Sequence, residues 1–241
     1  MSDRAIVGFD SSTPRLTVAA RRDARIVHEH SSQPPPGERP AHARELLARV
    51  EEAASAAGGW DAVGLIAVGI GPGSYTGLRI GIATARGLAQ ALRKPVVPVV
   101  SLAALARGIA PGFDARDEAR LAVIDARRSQ VFAGLYGGTG EAIWEPFVAS
   151  PEELAERVAD LGAEPLTGGD GSLRFRGQLE AAGARVLADG DEGHLVAARN
   201  TCLLAADLEP EEPGEIEPIY LRPPDAELWR EQQRRESDRK R

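Results

Sequence analysis

Cysteine and lysine are nearly missing from this chain of 241 residues. It holds one cysteine, Cys202, and its lysines are Lys94 and Lys240. A single cysteine excludes a disulfide within the chain and any metal site built from several cysteines. Because Cys202 lies in an apolar stretch with helical spacing, we expect a buried thiol. The positive charge is almost entirely arginine, which we interpret as genomic composition bias rather than mechanism.

Long apolar runs are missing too. No stretch approaches the roughly 18 apolar residues of a membrane span, and the first residues contain no apolar signal core. The formal net charge of −7 argues against a broad electrostatic grip on a polyanion such as a nucleic acid. We therefore expect a soluble, cytoplasmic protein that makes no contact with a membrane. A hydrophobic content of 43% is enough for a sizeable core.

The chain also lacks the signatures of common hydrolases and metal sites. A nucleophile elbow needs Gly-x-Ser-x-Gly, but the residue two positions after Ser74 is Thr76. His28 and His30 share one strand face and would in isolation suggest a metal pair, yet the sequence positions no third ligand. We predict no catalytic residue, no metal site and no cofactor.

A glycine-rich block at residues 69–81 is the most informative feature that is present. It reads GIGPGSYTGLRIG, follows a run typical of a buried strand and leads into a long stretch without proline. This junction predicts a sharp turn into a helix, whose free N–H groups are a natural seat for an anion. It is not a P-loop, because no lysine stands beside its last glycine. A phosphate-facing role and a plain strand-to-helix turn both stay open.

Small residues recur at every fourth position along the helix predicted after this block, at Gly77, Gly81 and Ala85. A glycine inside a helix costs about 1 kcal/mol relative to alanine, so this row indicates a backbone packed close to a neighbour. That neighbour is either the chain's own sheet or a helix of a partner subunit. The sequence does not choose between them.

The predicted elements occur in the same order twice. The first half has strands at 5–9, 16–20, 25–29, 63–68 and 96–100, with helices at 41–57, 76–92 and from 101. The second half has strands at 121–124, 131–136, 142–147, 164–167 and 185–187, with helices from 150, up to 182, and at 194–208. Each half is therefore βββαβαβα, which predicts an α/β protein with two helix-covered mixed sheets and a cleft between them.

The domain assignment follows from this repeat. We assign an N-terminal domain with the partner-binding helices to residues 1–106, a C-terminal domain to 107–222 and a polar tail to 223–241. The acidic stretch at 207–217 is expected to be a solvated linker.

Similar turns recur at matching places in the two halves. The first hairpin turn is Asp10-Ser11-Ser12-Thr13 in one half and Asp125-Ala126-Arg127 in the other, and the fourth strand ends at 71–74 and at 169–172. The duplicated order is that of the actin-like ATPase superfamily. With the block at 69–81, these motifs resemble the bacterial TsaB family, whose members belong to the machinery that makes threonylcarbamoyladenosine in tRNA. The resemblance extends from residue 4 to residue 222.

This resemblance implies two duplicated actin-like (ribonuclease H-like) domains in a non-catalytic subunit. The related catalytic subunit, TsaD, has metal-binding histidines just after the strand equivalent to 96–100, where this chain has Ser101 and Leu105. The phosphate turns have lost glycines, and Arg127 and Arg128 stand in the second one. The positions that would face a nucleotide in this fold are Asp10, Ser11, Ser12, Thr13, Gly169, Asp170 and Gly171.

The resemblance also implies the partners. The helices at 41–57 and 76–92 are expected to pack on a TsaD-type catalytic subunit or on a second copy of the chain, with a TsaE-type ATPase in the same complex and tRNA contacted only indirectly. The expected interface residues are His42, Leu46, Leu47, Val50, Gly77, Ile80, Gly81, Thr84 and Ala85. The competing hypotheses are an autonomous ATP-dependent phosphotransferase of the same superfamily and an actin-like filament former.

Overall fold

Two five-stranded sheets form the centre of the molecule. The computed structural model describes residues 4–35, 37–109 and 118–222, so the tail predicted at 223–241 lies outside the described residues. The strands are β1 (Ala5–Asp10), β2 (Leu16–Arg22), β3 (Arg25–Ser32), β4 (Val63–Gly69), β5 (Val96–Val99), β6 (Arg120–Arg127), β7 (Gln130–Tyr136), β8 (Ala142–Ala149), β9 (Leu166–Gly168) and β10 (Arg185–Val186). The helices are α1 (His42–Ala56), α2 (Tyr75–Leu92), α3 (Ser101–Ile109), α4 (Pro151–Ala159), α5 (Asp170–Arg174), α6 (Arg176–Ala181) and α7 (Ala198–Ala205).

The two sheets have the same topology. The first runs in the order β3-β2-β1-β4-β5, and the second in the order β8-β7-β6-β9-β10. In each sheet the first three strands are antiparallel and the last two add in parallel. The predicted duplication of a βββαβαβα unit is therefore confirmed.

Burial explains which segments became central strands. All six residues of β1 are buried, because helices cover both faces of the first sheet. On one face Leu46 and Val50 of α1 pack with Ile82 of α2 in a single apolar cluster. At the edge of the sheet, β3 alternates exposed and half-buried residues, as expected for a strand with one face in water.

The last helix of each half packs on the sheet of the other half. Leu102 and Leu105 of α3 join a cluster with Ile124 of β6 in the second sheet. Ala198 and Cys202 of α7 lie in a cluster with residues of β1, β2, β4 and β5 in the first sheet. The helical pattern of the sequence predicts these helices but not which sheet each one covers. Because each helix packs on the sheet of the other half, apolar contacts hold the two halves together.

Helix boundaries follow local chemistry. Ser150 caps α4 by accepting from the Glu153 N–H, and the Glu153 carboxylate accepts from the Ser150 N–H, which is the capping box that the sequence predicts. The helix expected from 194 to 208 is shorter, since α7 begins at Ala198 and ends at Ala205. Its start is displaced because His194 closes a 3₁₀ turn and is held there by its ring.

The docking of α7 gives a testable prediction about Cys202. Its thiol is fully buried, and burial raises its pKa to about 12, so the native protein should not react with a thiol reagent at neutral pH. A Cβ at Gly8 would lie 2.6 Å from Cys202 Sγ. Gly8→Ala should therefore displace α7, lower the free energy of unfolding by about 1–3 kcal/mol and speed labelling. Gly177→Ala, in open space on α6, is the control. Equal labelling rates in both variants would contradict this packing.

Candidate functional site

A cleft of about 520 Å³ lies between the two halves. Ser12 and Thr13 of the β1–β2 turn line it on one side, and Asp125 and Arg127 of the β6–β7 turn line it on the other. The duplicated fold predicts this arrangement of the two hairpin turns. The cleft is therefore the place to test the residues that would face a nucleotide.

Asp10 is turned into the protein. Asp10 is only 2% exposed. Its Oδ1 accepts a hydrogen bond from the Ser12 N–H at 2.7 Å, and its Oδ2 accepts one from Ser101 Oγ at 2.6 Å. Ser101 Oγ also accepts from the Gly71 N–H at 3.1 Å. Burial raises the pKa of Asp10 above its ordinary value, although the hydrogen bonds from Ser101 and Ser12 oppose that shift. Both oxygens of the Asp10 carboxylate therefore have partners within the chain.

The glycine-rich block closes over the same turn. Ser11 Oγ donates to Gly77 O at 2.9 Å, and the Ser74 N–H donates to Ser12 O at 2.6 Å. A Cβ at Gly73 would overlap Ser12 O, and one at Gly77 would overlap Ser11 O. These glycines are therefore needed for close approach to the turn, which favours the structural interpretation of the block over a phosphate-facing one.

The row of small residues on α2 also faces its own chain. Gly77, Gly81 and Ala85 are buried, and a Cβ at Gly81 would lie 2.6 Å from Ser11 Oγ and 3.8 Å from Val68 Cγ2. The sequence left this neighbour open between the chain's own sheet and a partner. In the monomer it is the first sheet and its turn.

The residues expected at a partner interface thus divide into two groups. Buried within the monomer are His42, Leu46, Val50, Gly77, Gly81 and Ala85. At least partly exposed are Leu47, Ile80 and Thr84. His42 Nε2 lies 3.0 Å from Thr13 O, so this ring joins α1 to the first turn. The interface stays a prediction, and only the exposed group is available for it.

The second turn is held by charge. Arg174 donates to both oxygens of Asp125, at 3.1 and 2.9 Å, and the Arg127 N–H donates to Asp125 Oδ1 at 2.9 Å. Asp170 Oδ1 accepts from the Asp125 N–H at 2.9 Å. Arg127 has a φ of +64°. Its side chain is 65% exposed, so its guanidinium group lies at the wall of the cleft.

The His194 ring is hydrogen bonded to the neighbouring Gly169–Gly171 turn. The Gly169 N–H donates to His194 Nδ1 at 3.2 Å, while His194 Nε2 lies 3.1 Å from Ala188 O. Gly169 has a φ of +110°, and a Cβ at Gly171 would lie 2.9 Å from Ile124 C. The backbone conformation at Gly169 and the close approach at Gly171 therefore explain both glycines without a ligand. The sequence interpretation did not identify this role of His194, which depends on contacts 25 residues apart.

Residues 209–222 pack on the first half and form what we call the strap. Ile216 is fully buried, Glu211 N–H donates to Val96 O at 2.9 Å, and Ile219 N–H donates to Ile70 O at 2.8 Å. Arg222 Nη1 then reaches Ala126 O in the second turn at 2.8 Å. The prediction of a solvated linker at 207–217 is therefore wrong for the later part of that stretch. The buried Ile216 side chain and the hydrogen bond from Glu211 N–H to Val96 O fix it on the first half.

The end of the strap meets the start of α2 in an aromatic contact. The rings of Tyr75 and Tyr220 lie 4.7 Å apart, and Arg79 Cζ lies 4.1 Å from the centre of the Tyr75 ring. Arg79 Nε donates to the Tyr220 hydroxyl at 3.2 Å. Both tyrosines also line the cleft. The cluster was missed from sequence because residues 75 and 220 are distant along the chain.

Residues 4–35, 37–109 and 118–222 contain no group of three or more histidines, cysteines or acids arranged to hold a metal ion. In the same residues, no helix has the length and apolar character needed to cross a bilayer. Ser101 and Leu105, which replace the metal-binding positions implied by the resemblance, are both buried. Ser101 instead serves as the partner of Asp10.

Comparisons with known proteins extend along most of the chain. Residues 31–164, more than half of it, match the family described as TsaD, tRNA N6-adenosine threonylcarbamoyltransferase. A protein of Escherichia coli (strain K12), named tRNA threonylcarbamoyladenosine biosynthesis protein TsaB, is 31% identical over 227 residues, covering 90% of this chain and 94% of that one. A Bacillus subtilis (strain 168) protein of the same name is 46% identical over 71 residues, 30% of this chain and 29% of that one.

Solved structures give the same result for the fold. YeaZ from Pseudomonas aeruginosa superposes with a TM-score of 0.72 at 31% identity, covering 90% of this chain and all of that one. The ROK hexokinase from Thermus thermophilus superposes with a TM-score of 0.52 at 16% identity, covering 84% of this chain and 99% of that one. The second likeness concerns the fold alone.

Asp10 gives a prediction about pH. Because its folded pKa is raised, the ionised form is disfavoured inside the protein, so wild type should lose stability relative to Asp10→Asn as pH rises above about 4. The loss should level off once pH exceeds the folded pKa. Urea unfolding of both proteins between pH 4 and 8 measures the difference. A difference that grows in favour of wild type with rising pH would have the wrong sign.

The contact between α2 and the first turn gives a prediction about glycine. Gly77→Ala should lower the free energy of unfolding by about 1–3 kcal/mol, because its methyl group would overlap the Ser11 carbonyl. Gly87→Ala, on the same helix but with nothing within 4 Å, should be neutral or stabilising by up to about 1 kcal/mol. Thermal and urea unfolding compare the pair, and equal effects would show that Gly77 is not needed for close approach.

Proposed function

The chain belongs to the TsaB family, and on that premise we propose that it is a non-catalytic partner subunit in threonylcarbamoyladenosine biosynthesis. It binds and supports a TsaD-type catalytic subunit that transfers the threonylcarbamoyl group to the adenosine next to the anticodon of tRNA. The observation that carries the non-catalytic role is the state of Asp10, whose carboxylate is buried against Ser12 and Ser101.

The remainder of the first turn supports the same proposal. Actin-like ATPases generally wrap phosphates with a glycine-rich hairpin, so the turn must be open to a ligand. Here Ser11 is hydrogen bonded to Gly77, and Ser12 O accepts from the Ser74 N–H, so the chain itself holds this hairpin from the side of α2. The turn contains no glycine. An autonomous phosphotransferase is therefore not favoured.

The partner face is proposed to be the outer side of α1 and α2. Leu47 is 60% exposed, more than any other large hydrophobic side chain among the described residues, and Ile80 and Thr84 lie on α2 with partial exposure. A TsaD-type subunit has a related fold and can present equivalent helices to this face. A second copy of the chain can compete for it, which makes a homodimer an alternative state.

The other proposed components rest on the family to which the chain belongs. A TsaE-type ATPase joins the complex, and tRNA is contacted mainly by other subunits because this chain has a net charge of −7. The work takes place in the cytoplasm, where tRNA is modified.

Binding to a TsaD-type subunit from the same organism tests the proposal. Leu47→Glu should weaken that binding by at least about tenfold, since it places a charge in an apolar contact. Ile143→Glu, at a 49% exposed position of β8 in the second half, should leave affinity unchanged. Isothermal titration calorimetry measures both, with circular dichroism to confirm the fold.

Reconstituted threonylcarbamoyl transfer completes the test. The TsaD-type subunit should need this chain for full activity, while this chain alone should neither transfer the group nor hydrolyse ATP. Turnover by the isolated chain would overturn the non-catalytic role. Wild-type chain that neither binds nor activates the catalytic subunit would overturn the proposal as a whole.

A further inference from the structure

Arg79 is held in one orientation on the surface of α2. The Tyr75 ring packs against its guanidinium at 4.1 Å, and its Nε donates to the Tyr220 hydroxyl at 3.2 Å. We call these three residues the arginine clamp. Its Tyr220 is fixed in turn by the strap, through Ile219 N–H to Ile70 O on one side and Arg222 to Ala126 O on the other.

The clamp leaves the terminal nitrogens of Arg79 for another molecule. The residue is exposed, and in the described parts of the chain no acceptor contacts its Nη1 or Nη2. These nitrogens form the planar fork that matches a carboxylate in two parallel hydrogen bonds. Because the side chain is already ordered, little conformational entropy remains to be lost on binding.

The charge around the clamp indicates which ligand fits. Helix α2 contains no acidic residue, although the chain as a whole has a net charge of −7. Its other arginine, Arg86, is used inside the monomer, where it donates to the backbone carbonyls of Gly214 and Ile216 in the strap. Arg79 is thus an ordered cation on a helix without acidic residues. Its charge is complementary to a carboxylate and not to another cationic group.

We propose that Arg79 is a recognition residue that receives a carboxylate group of the catalytic subunit in a bidentate ion pair, with Tyr75 and Tyr220 as its positioning residues. This inference rests on the proposed function. Arg79 lies on the same helix as Ile80 and Thr84 of the proposed partner face, so a partner bound there would be close to it. It adds a polar, directional contact to that face and assigns the strap a part in recognition.

Conservative substitution of Arg79 provides the test. Arg79→Lys keeps the charge but loses the fork, so it should weaken binding of the catalytic subunit by about tenfold or more, mainly through faster dissociation. Arg79→Gln should weaken it further. The matched control is Arg157→Lys, since Arg157 packs on the rings of Trp144 and Phe147 at 4.4 and 4.3 Å in the second half. This control should bind like wild type in biolayer interferometry.

The positioning role of Tyr220 has its own signature. Tyr220→Phe removes the hydroxyl but keeps the ring contact, and it should weaken binding about threefold. In the Arg79→Lys background the same change should add nothing, because lysine has no Nε–H for the hydroxyl to hold. Additive effects of the two substitutions would overturn the positioning role.

The outcomes separate this inference from the proposed function. If wild type and Arg157→Lys bind the catalytic subunit while Arg79→Lys and Arg79→Gln bind equally well, the recognition role of Arg79 is wrong and the partner role stands. If wild type does not bind at all, the proposed function fails first. Thermal unfolding should show all variants folded, since Arg79 is exposed.

Discussion

The close seating of α2 on the β1–β2 turn is the contact on which the first half depends. Gly77 and Gly73 let the helix and the loop before it approach the backbone of Ser11 and Ser12, where any side chain would overlap. The same loop carries Gly71, whose N–H holds Ser101 in place to donate to Asp10. One set of small residues therefore fixes the helix, holds the hairpin and keeps a carboxylate buried.

The second half keeps the topology but uses different chemistry at the matching turn. Asp125 is balanced by Arg174 and Arg127, which are long and partly exposed side chains, where Asp10 is held by two serines inside the core. The Asp125 side chain is only 8% exposed, but its arginine partners are 65% and 45% exposed and share their charge with water, whereas Asp10 has only uncharged partners inside the protein. The duplicated fold has thus retained its strand order while its two turns have become unlike in burial and charge.

The sequence predicted most of the strands to within a few residues, because largely buried strands such as β1 and β4 form nearly continuous apolar runs between turn residues. It could not predict that α3 and α7 exchange sheets, since an apolar helix face does not specify which sheet it covers. It failed on the strap because a single buried residue, Ile216, is hidden in an acidic stretch. At the candidate site the sequence located the turns but not the contacts of Asp10 with Ser101 and of Gly169 with His194, which depend on tertiary structure.

The strap changes how the cleft and the outer face of α2 are related. Within four residues the strap bonds to Ile70 just after β4, contacts the ring of Tyr75 at the start of α2 and reaches Ala126 in the second turn. Tyr75 and Tyr220 form a wall of the cleft with one side and hold Arg79 with the other. The strap therefore connects both turns and the Arg79 side chain through one short run of contacts, beside the apolar packing of α3 and α7 that holds the halves together.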